Sequence, residues 1–207
     1  MFYEPQNGHG LPHDPFNAIV APRPIGWIST RSKAGALNLA PYSYFNVISH
    51  SPHLVIFSSS GRKDSVTFIE ETGEFAVNLV SGNLREQMNA SAVNAPRGVS
   101  EFDYAGLTPA PCKLIEAPRV AEAYAALECV ATDIRVPMDR HGNPSGNFLV
   151  TGEVVGIHID EAILTDGLID IKKAQPVSRL GYMDYATISE VYQMWRPQWE
   201  TSEIKPR

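Results

Sequence analysis

The apolar positions change period several times along the chain. Between Ala18 and Gly61 they fall in short runs of strand length broken by turn residues. The stretch PRPIGWIST, residues 22–30, closes a first strand over Gly26 to Thr30, and RSKAG then turns the chain with Gly35 free to take positive φ. ALNLAPYSYFNVIS alternates loosely, and its Pro41 predicts a bulge or bend in place of an unbroken central strand. HLVIFSSS is a third strand-length run. At KDSVTFIEETGEF the period lengthens. Val66, Phe68 and Ile69 share one helical face, Glu70 and Glu71 point away, and Asp64 or Ser65 is the expected start cap with Gly73 at the end. EFAVNLVS returns to alternation through Phe75, Val77 and Leu79, and NLREQMNASAV reads as a second helix. The proline- and glycine-rich stretch from Asn94 to Pro118 reads as a long ordered loop. ALECVATDIRV and NFLVTGEVVGIHI then flank a hairpin-like PMDRHGNPSG, DEAILTDGLID makes a short helix or helical turn, and PVSRLGYMDYATI is a last short strand region.

The balance is five to seven strands with two or three helices, mostly strand–turn–strand. That predicts a mainly β fold, an antiparallel barrel with a few added helices, in preference to a doubly wound sheet. A chain of 207 residues is one domain's length, and residues 1–207 are read as a single domain with arms at 1–15 and 188–207. The C-terminal arm, ISEVYQMWRPQWETSEIKPR, carries Tyr192, Met194, Trp195 and Trp199. Each tryptophan can bury about 150–250 Å², and Pro197 blocks a continuous helix. The arm is expected to lie across a surface, either that of its own barrel or that of a second subunit.

Composition narrows the function classes. Hydrophobic residues make up 43% and charged residues 19%, as in an ordinary globular protein. The net charge of −6 lacks the basic footprint that nucleic-acid binding needs, although a local basic patch can still hold a small anion. Cys112 and Cys129 belong to no CxxC pair and read as structural thiols in a reducing compartment. The N-terminus has no signal-peptide pattern, and no stretch approaches the roughly 18 apolar residues of a membrane span. A cytoplasmic chain with no membrane partner is expected.

The densest local chemistry is SSSGRKDSVT, Ser58 to Thr67, where three hydroxyls, a glycine and two cations lead into a helix. Helix N-termini leave N–H groups free and favour anions. Arg62 and Lys63 add charge, and Ser58, Ser59 and Ser65 add donors. The segment fits either a phosphate-binding turn or an ordinary solvated strand–helix turn. It is not a Walker loop, and GxGxxG, HExxH and GxSxG are all absent. His9, His13, His50, His53, His141 and His158 show no metal-ligand spacing, so no metal site is expected.

PRPIGWIST, NLAPYSYFN and SSSGRKDS occur in this order at short spacings, followed by GEFAVNLVS, EFDYAGLTP, APRVAEAYAALEC, VTGEVVGIHID and VSRLGYMDYA. This ordered set resembles the flavin reductase-like family, the FMN-binding split-barrel proteins of the DIM6/NTAB group, over about Phe16 to Thr187. Ser65 stands where that family often has threonine, which retains the hydroxyl. The resemblance implies a split antiparallel barrel that forms a homodimer and holds FMN near the subunit interface. It places Trp27, Ile28, Ser29 and Thr30 at the flavin edge. Asn38, whose amide both donates and accepts, would meet the ring, with Leu39, Ala40 and Ser43 alongside it and Pro41 exposing backbone groups. Ser58, Ser59, Arg62, Lys63 and Ser65 would take the phosphate.

The same resemblance implies an NAD(P)H-dependent flavin reductase that passes hydride to flavin, with a monooxygenase or redox protein as possible partner. An FMN-bound electron-transfer protein of flavoredoxin type, or a flavin-binding protein without turnover, are the alternatives. Since the cofactor carries the chemistry, no catalytic residue is assigned. Arg179, Tyr182 and Tyr185 either approach the open flavin face or pack structurally.

Overall fold

The structure is a computed structural model that describes residues 1–96, 98–197 and 199. A short helix α1 (Phe16–Ile19) leads into strands β1 (Arg23–Pro24), β2 (Gly26–Arg31), β3 (Leu37–Tyr42), β4 (Phe45–His50) and β5 (His53–Ser60). Helix α2 (Asp64–Thr72), strand β6 (Glu74–Leu79) and helices α3 (Arg85–Ala90) and α4 (Glu101–Ala105) follow. Strands β7 (Pro109–Ala110) and β8 (Arg119–Val120) pair briefly before the long hairpin of β9 (Ala125–Arg135) and β10 (Asn147–Ile159). The chain ends with the small hairpin of β11 (Leu164–Thr165) and β12 (Leu168–Ile169), helix α5 (Ile171–Ala174), and strands β13 (Val177–Arg179) and β14 (Tyr185–Thr187).

Seven strands form one antiparallel sheet in the order β3-β2-β6-β9-β10-β5-β4. Its two edge strands, β3 and β4, are consecutive in the chain and joined only by Ser43 and Tyr44. Three residue steps reach at most about 11 Å. The sheet must therefore curl until its ends meet, and since β3 and β4 are not paired the barrel stays split. This is the mainly β, antiparallel split barrel that the strand pattern and the resemblance predict.

Two cores hold the curl. Val66 and Ile69 of α2 pack with Ile28, Phe57, Phe75, Val77, Cys129 and Val150 on one side of the sheet. On the other, Trp27, Leu39, Val80, Leu84, Met88 and Phe102 pack together, contributed by β2, β3, the α3 region and α4. Strand β2 is thus covered on both faces, so five of its six residues are buried. Each large side chain buried in this way stabilises the fold by about 1.5–3 kcal/mol relative to exposure. Gly73 closes α2 at φ +76, the left-handed geometry for which a glycine cap is suited.

The structure corrects the sequence reading at several points. Pro41 does not interrupt β3; it stands opposite Trp27 in a strand that lies at the sheet edge, where a missing N–H costs no ladder bond. The break falls at Ser43 and Tyr44 instead. Neither Asp64 nor Ser65 caps α2: the N-cap is Lys63, without a side-chain hydrogen bond. The expected long loop from Asn94 to Pro118 contains α4 and β7. Ser100 caps α4 by accepting from Phe102 N, and Gly106 ends it at φ +66. DEAILTDGLID opens with the expected helical turn, a 3-10 turn at Glu161–Ile163, but continues into the β11–β12 hairpin, which was not expected.

Arg23 in PRPIGWIST now has a role. Its guanidinium donates to the carbonyls of Asn17, Val20 and Leu180, tying α1 to the small β1-β13-β14 sheet. In the C-terminal arm Tyr192, Met194 and Trp199 are exposed and Trp195 is half-buried. The rest of that arm, Gln198 and residues 200–207, lies outside the described residues. Among those described, no helix is long and apolar enough to cross a membrane.

Candidate functional site

Three elements meet beside the N-terminus of α2. Strand β5 ends at Ser60, and after three intervening residues α2 begins at Asp64. Its N-cap, Lys63, is extended (φ −84°, ψ 175°), and among the described residues there is no side-chain cap hydrogen bond. The helix therefore presents its early N–H groups and the positive end of its dipole with no side-chain cap among the described residues. A cleft of about 380 Å³ opens there, within the range of roughly 300–1,000 Å³ usual for small-molecule sites. One wall is Asn38, Ala40, Pro41 and Tyr42 of β3; a second is Lys63, Asp64 and Ser65; the third is residues 91–95 with Glu101 of α4.

Hydrogen bonds lock these walls together. Asn38 Nδ2 donates to Ser65 Oγ at 2.8 Å and to Thr30 Oγ1 at 3.4 Å. Glu101 Oε2 accepts from Leu39 N at 3.0 Å, using a backbone donor on the outer edge of β3. Burial pushes the Glu101 carboxyl above the usual carboxylate range, partly offset by the Leu39 N–H. The Tyr42 hydroxyl is buried with no hydrogen-bond partner, although Ser59 and Ser65 lie near it. Burial raises its pKa, and those two hydroxyls lower it in part. An orphaned buried hydroxyl at the wall of a cleft is the kind of group a polar ligand satisfies.

Of the residues expected at a ligand, Asn38, Ala40, Lys63 and Ser65 line this cleft. Trp27, Ile28, Ser29, Thr30 and Leu39 are fully buried. Trp27 Nε1 donates to Ser91 Oγ at 2.8 Å, and the Ser29 hydroxyl is committed to the Pro118 carbonyl and to Asn78. None of these five lines the cleft. Ser43 sits in the β3–β4 link, and Ser58 is half-buried in β5 opposite Leu149. The buried Ser59 hydroxyl donates to the Gly61 carbonyl at 2.9 Å. Arg62 turns outward, pairing with Glu70 at 3.0 Å and lying over the Phe148 ring at 5.4 Å.

Arg179, Tyr182 and Tyr185 do not line the cleft. Arg179 donates to the Tyr185 hydroxyl and the Tyr182 carbonyl and stacks over the Tyr185 ring at 4.5 Å. The sequence reading missed Tyr42, Glu101 and the 91–95 segment. Ser100 followed by acidic residues and Gly106 was a usable signal for α4, but nothing local places Glu101 against β3.

Comparison with known proteins agrees with this architecture. The model of the flavin reductase like domain family matches residues 20–177. An uncharacterised protein of Aquifex aeolicus is 39% identical over 169 residues, covering 79% of this chain and 83% of its own. Nitrilotriacetate monooxygenase component B from Bacillus cereus superposes with a TM-score of 0.84 at 31% identity, covering 94% of this chain and 98% of that one. A putative flavin reductase with split barrel domain from Shewanella frigidimarina has the same fold, with a TM-score of 0.78 at 23% identity over 87% of this chain and 89% of that one.

Proposed function

The chain belongs to the flavin reductase-like domain family, and from that premise we propose that it binds FMN in the cleft beside α2 and acts as an NAD(P)H-dependent flavin oxidoreductase, working as a homodimer. The observation that carries this reading is the pairing of two different recognition surfaces in one cleft. The side-chain-uncapped N-terminus of α2 with Lys63 suits a phosphate, and the β3 wall of Asn38 to Tyr42 suits a planar polar ring.

FMN bound here would exchange hydride with a reduced nicotinamide, chemistry that belongs to the cofactor. The chain's own residues bind and orient. Lys63 and the first-turn N–H groups of α2 neutralise the phosphate. Both amide protons of Asn38 are engaged by Ser65 and Thr30, so the group it offers a ligand is its carbonyl oxygen, an acceptor for a ring N–H. The Tyr42 hydroxyl is free to donate. Leu39 of β3 packs with Trp27 of the neighbouring β2 in the core, which holds that wall in place. The Bacillus cereus protein is a component of a monooxygenase by name, which supports a partner protein as acceptor of reduced flavin.

The test begins with the absorption spectrum of the purified protein and identification of any released flavin. NADH and NADPH oxidation is then assayed with and without added FMN. Turnover that depends on added FMN supports the reductase reading. Retained flavin that accepts electrons only from a protein donor supports an electron-transfer role. Failure to bind any flavin overturns both.

A further inference from the structure

Away from the flavin cleft, three donor side chains from separate segments converge outside the barrel. On the β9–β10 hairpin Glu128 stands opposite Gly156, and His158 lies two residues further along β10, on the same face. A Cβ at position 156 would lie 3.2 Å from Glu128 Cδ, so glycine there leaves the space the carboxyl occupies. Glu128 is 1% exposed. Its Oε1 accepts from Lys113 N at 2.8 Å and its Oε2 from Leu114 N at 2.6 Å. His158 Nε2 approaches Oε1 at 2.5 Å. Cys112 immediately precedes those two amides. Its Sγ, a Glu128 oxygen and a His158 ring nitrogen all lie within 4.8 Å of one another, and no other group of three such donors occurs among the described residues.

We propose that Cys112, Glu128 and His158 form a binding site for a zinc-class divalent ion, with water or another exchangeable ligand completing the shell. Thiolate, imidazole and carboxylate are together the donor set of zinc, whereas magnesium and calcium take oxygen alone. Bonds of about 2.0–2.3 Å to a tetrahedral centre set the donor atoms roughly 3–4 Å apart. The observed cluster reaches that spacing by small side-chain rotations, with His158 ligating as the neutral imidazole through Nε2 and its ring proton on Nδ1. A carboxylate oxygen has two lone pairs, so Glu128 keeps its bonds to Lys113 and Leu114 while ligating, and those amides orient it.

Charge and access fit as well. A thiolate, a carboxylate and a divalent cation sum to zero, which suits a mostly buried position. Only the thiolate ligates, so binding releases the Cys112 thiol proton. Cys112 is half-buried and reaches a surface depression bounded by Arg31, Leu37, Ile115 and Glu116, and the His158 side chain is 19% exposed. A bound ion would clamp the 111–118 segment to the barrel hairpin.

The experiment uses the full chain, stripped with a chelator and titrated with zinc chloride. The expected result is one zinc per chain, a proton released on binding, a raised Tm, and a sulfur neighbour in the zinc X-ray absorption spectrum. Cys112→Ser and His158→Asn should each weaken zinc at least tenfold, with folding checked by circular dichroism. His50 and His53, whose rings lie 5.0 Å apart, are the competing surface pair. Replacing both with glutamine should leave the affinity unchanged. Absence of stoichiometric zinc, zinc without a sulfur neighbour, or affinity that depends on His50 and His53 alone would overturn the site. The absorption spectrum on the unmutated chain decides even where a variant fails to fold.

Discussion

Asn38 in the edge strand β3 donates to Ser65, one residue into helix α2, at 2.8 Å. This bond joins two walls of the cleft, so strand β3 and the start of α2 hold a set distance from each other. Both groups are buried. Asn38→Leu leaves the Ser65 and Thr30 hydroxyls without their donor and should cost about 1–3 kcal/mol. For a chain of this size that lowers Tm by roughly 2–12 °C. The same variant, loaded with FMN, should show a shifted flavin spectrum or reduction potential. An unchanged spectrum and potential at full loading would place Asn38 away from the ring.

Lys63 lines the cleft, whereas Arg62 is held by Glu70 and Phe148. Lys63→Ala should therefore weaken FMN by about 1.5–3 kcal/mol, roughly 10- to 150-fold, and riboflavin much less, since riboflavin lacks the phosphate. Arg62→Ala should have the smaller effect. Paired titrations of both ligands against both variants give the ratio. Equal losses for FMN and riboflavin in Lys63→Ala would remove the phosphate from this turn.

Burial raises the Glu101 carboxyl pKa above its unfolded value. The native state then binds that proton more tightly than the unfolded chain, so stability falls as pH climbs from the ordinary carboxylate range, about 4–4.5, towards the raised value. Below that range the contribution vanishes. Glu101→Gln keeps an acceptor for Leu39 N and removes the titration. Urea unfolding at pH 4 and pH 7 should show the variant gaining on the wild type as pH rises. A wild type that gains on the variant would contradict the assignment.

The C-terminal arm leaves Tyr192, Met194 and Trp199 uncovered in a single chain. Aromatic and methionine side chains are enriched at interface centres, and a second subunit is the surface proposed for them. Deletion of residues 192–207 should lower dimer stability and flavin retention together. Sedimentation at several protein concentrations, with flavin content read on the same samples, measures both. A truncated chain that stays dimeric and fully loaded would separate the arm from assembly, and a monomeric full-length chain would remove the dimer.

The sequence by itself determined the local elements: the strand runs, helix α2 with Gly73 as its end, the short turn that leads from β5 into α2, and the β9–β10 hairpin. Periodicity and turn chemistry are properties of neighbouring residues, so they can be read along a line. The ordered motifs further identified a split barrel. What only the tertiary structure decided is which segments lie side by side. Pro41 reads as a breaker until β3 is known to be an edge strand, where its missing N–H has no partner to lose. Trp27, Ile28 and Ser29 look available for a ligand until both faces of β2 are seen to be covered. Glu101 sits in what reads as loop, and only the packing of α4 brings its carboxylate to Leu39 N. Cys112, Glu128 and His158 carry no recognisable spacing because three separate segments supply them. Such meetings depend on how the sheet curls and on strand register, which are set by contacts between residues far apart in the chain. No local pattern encodes them.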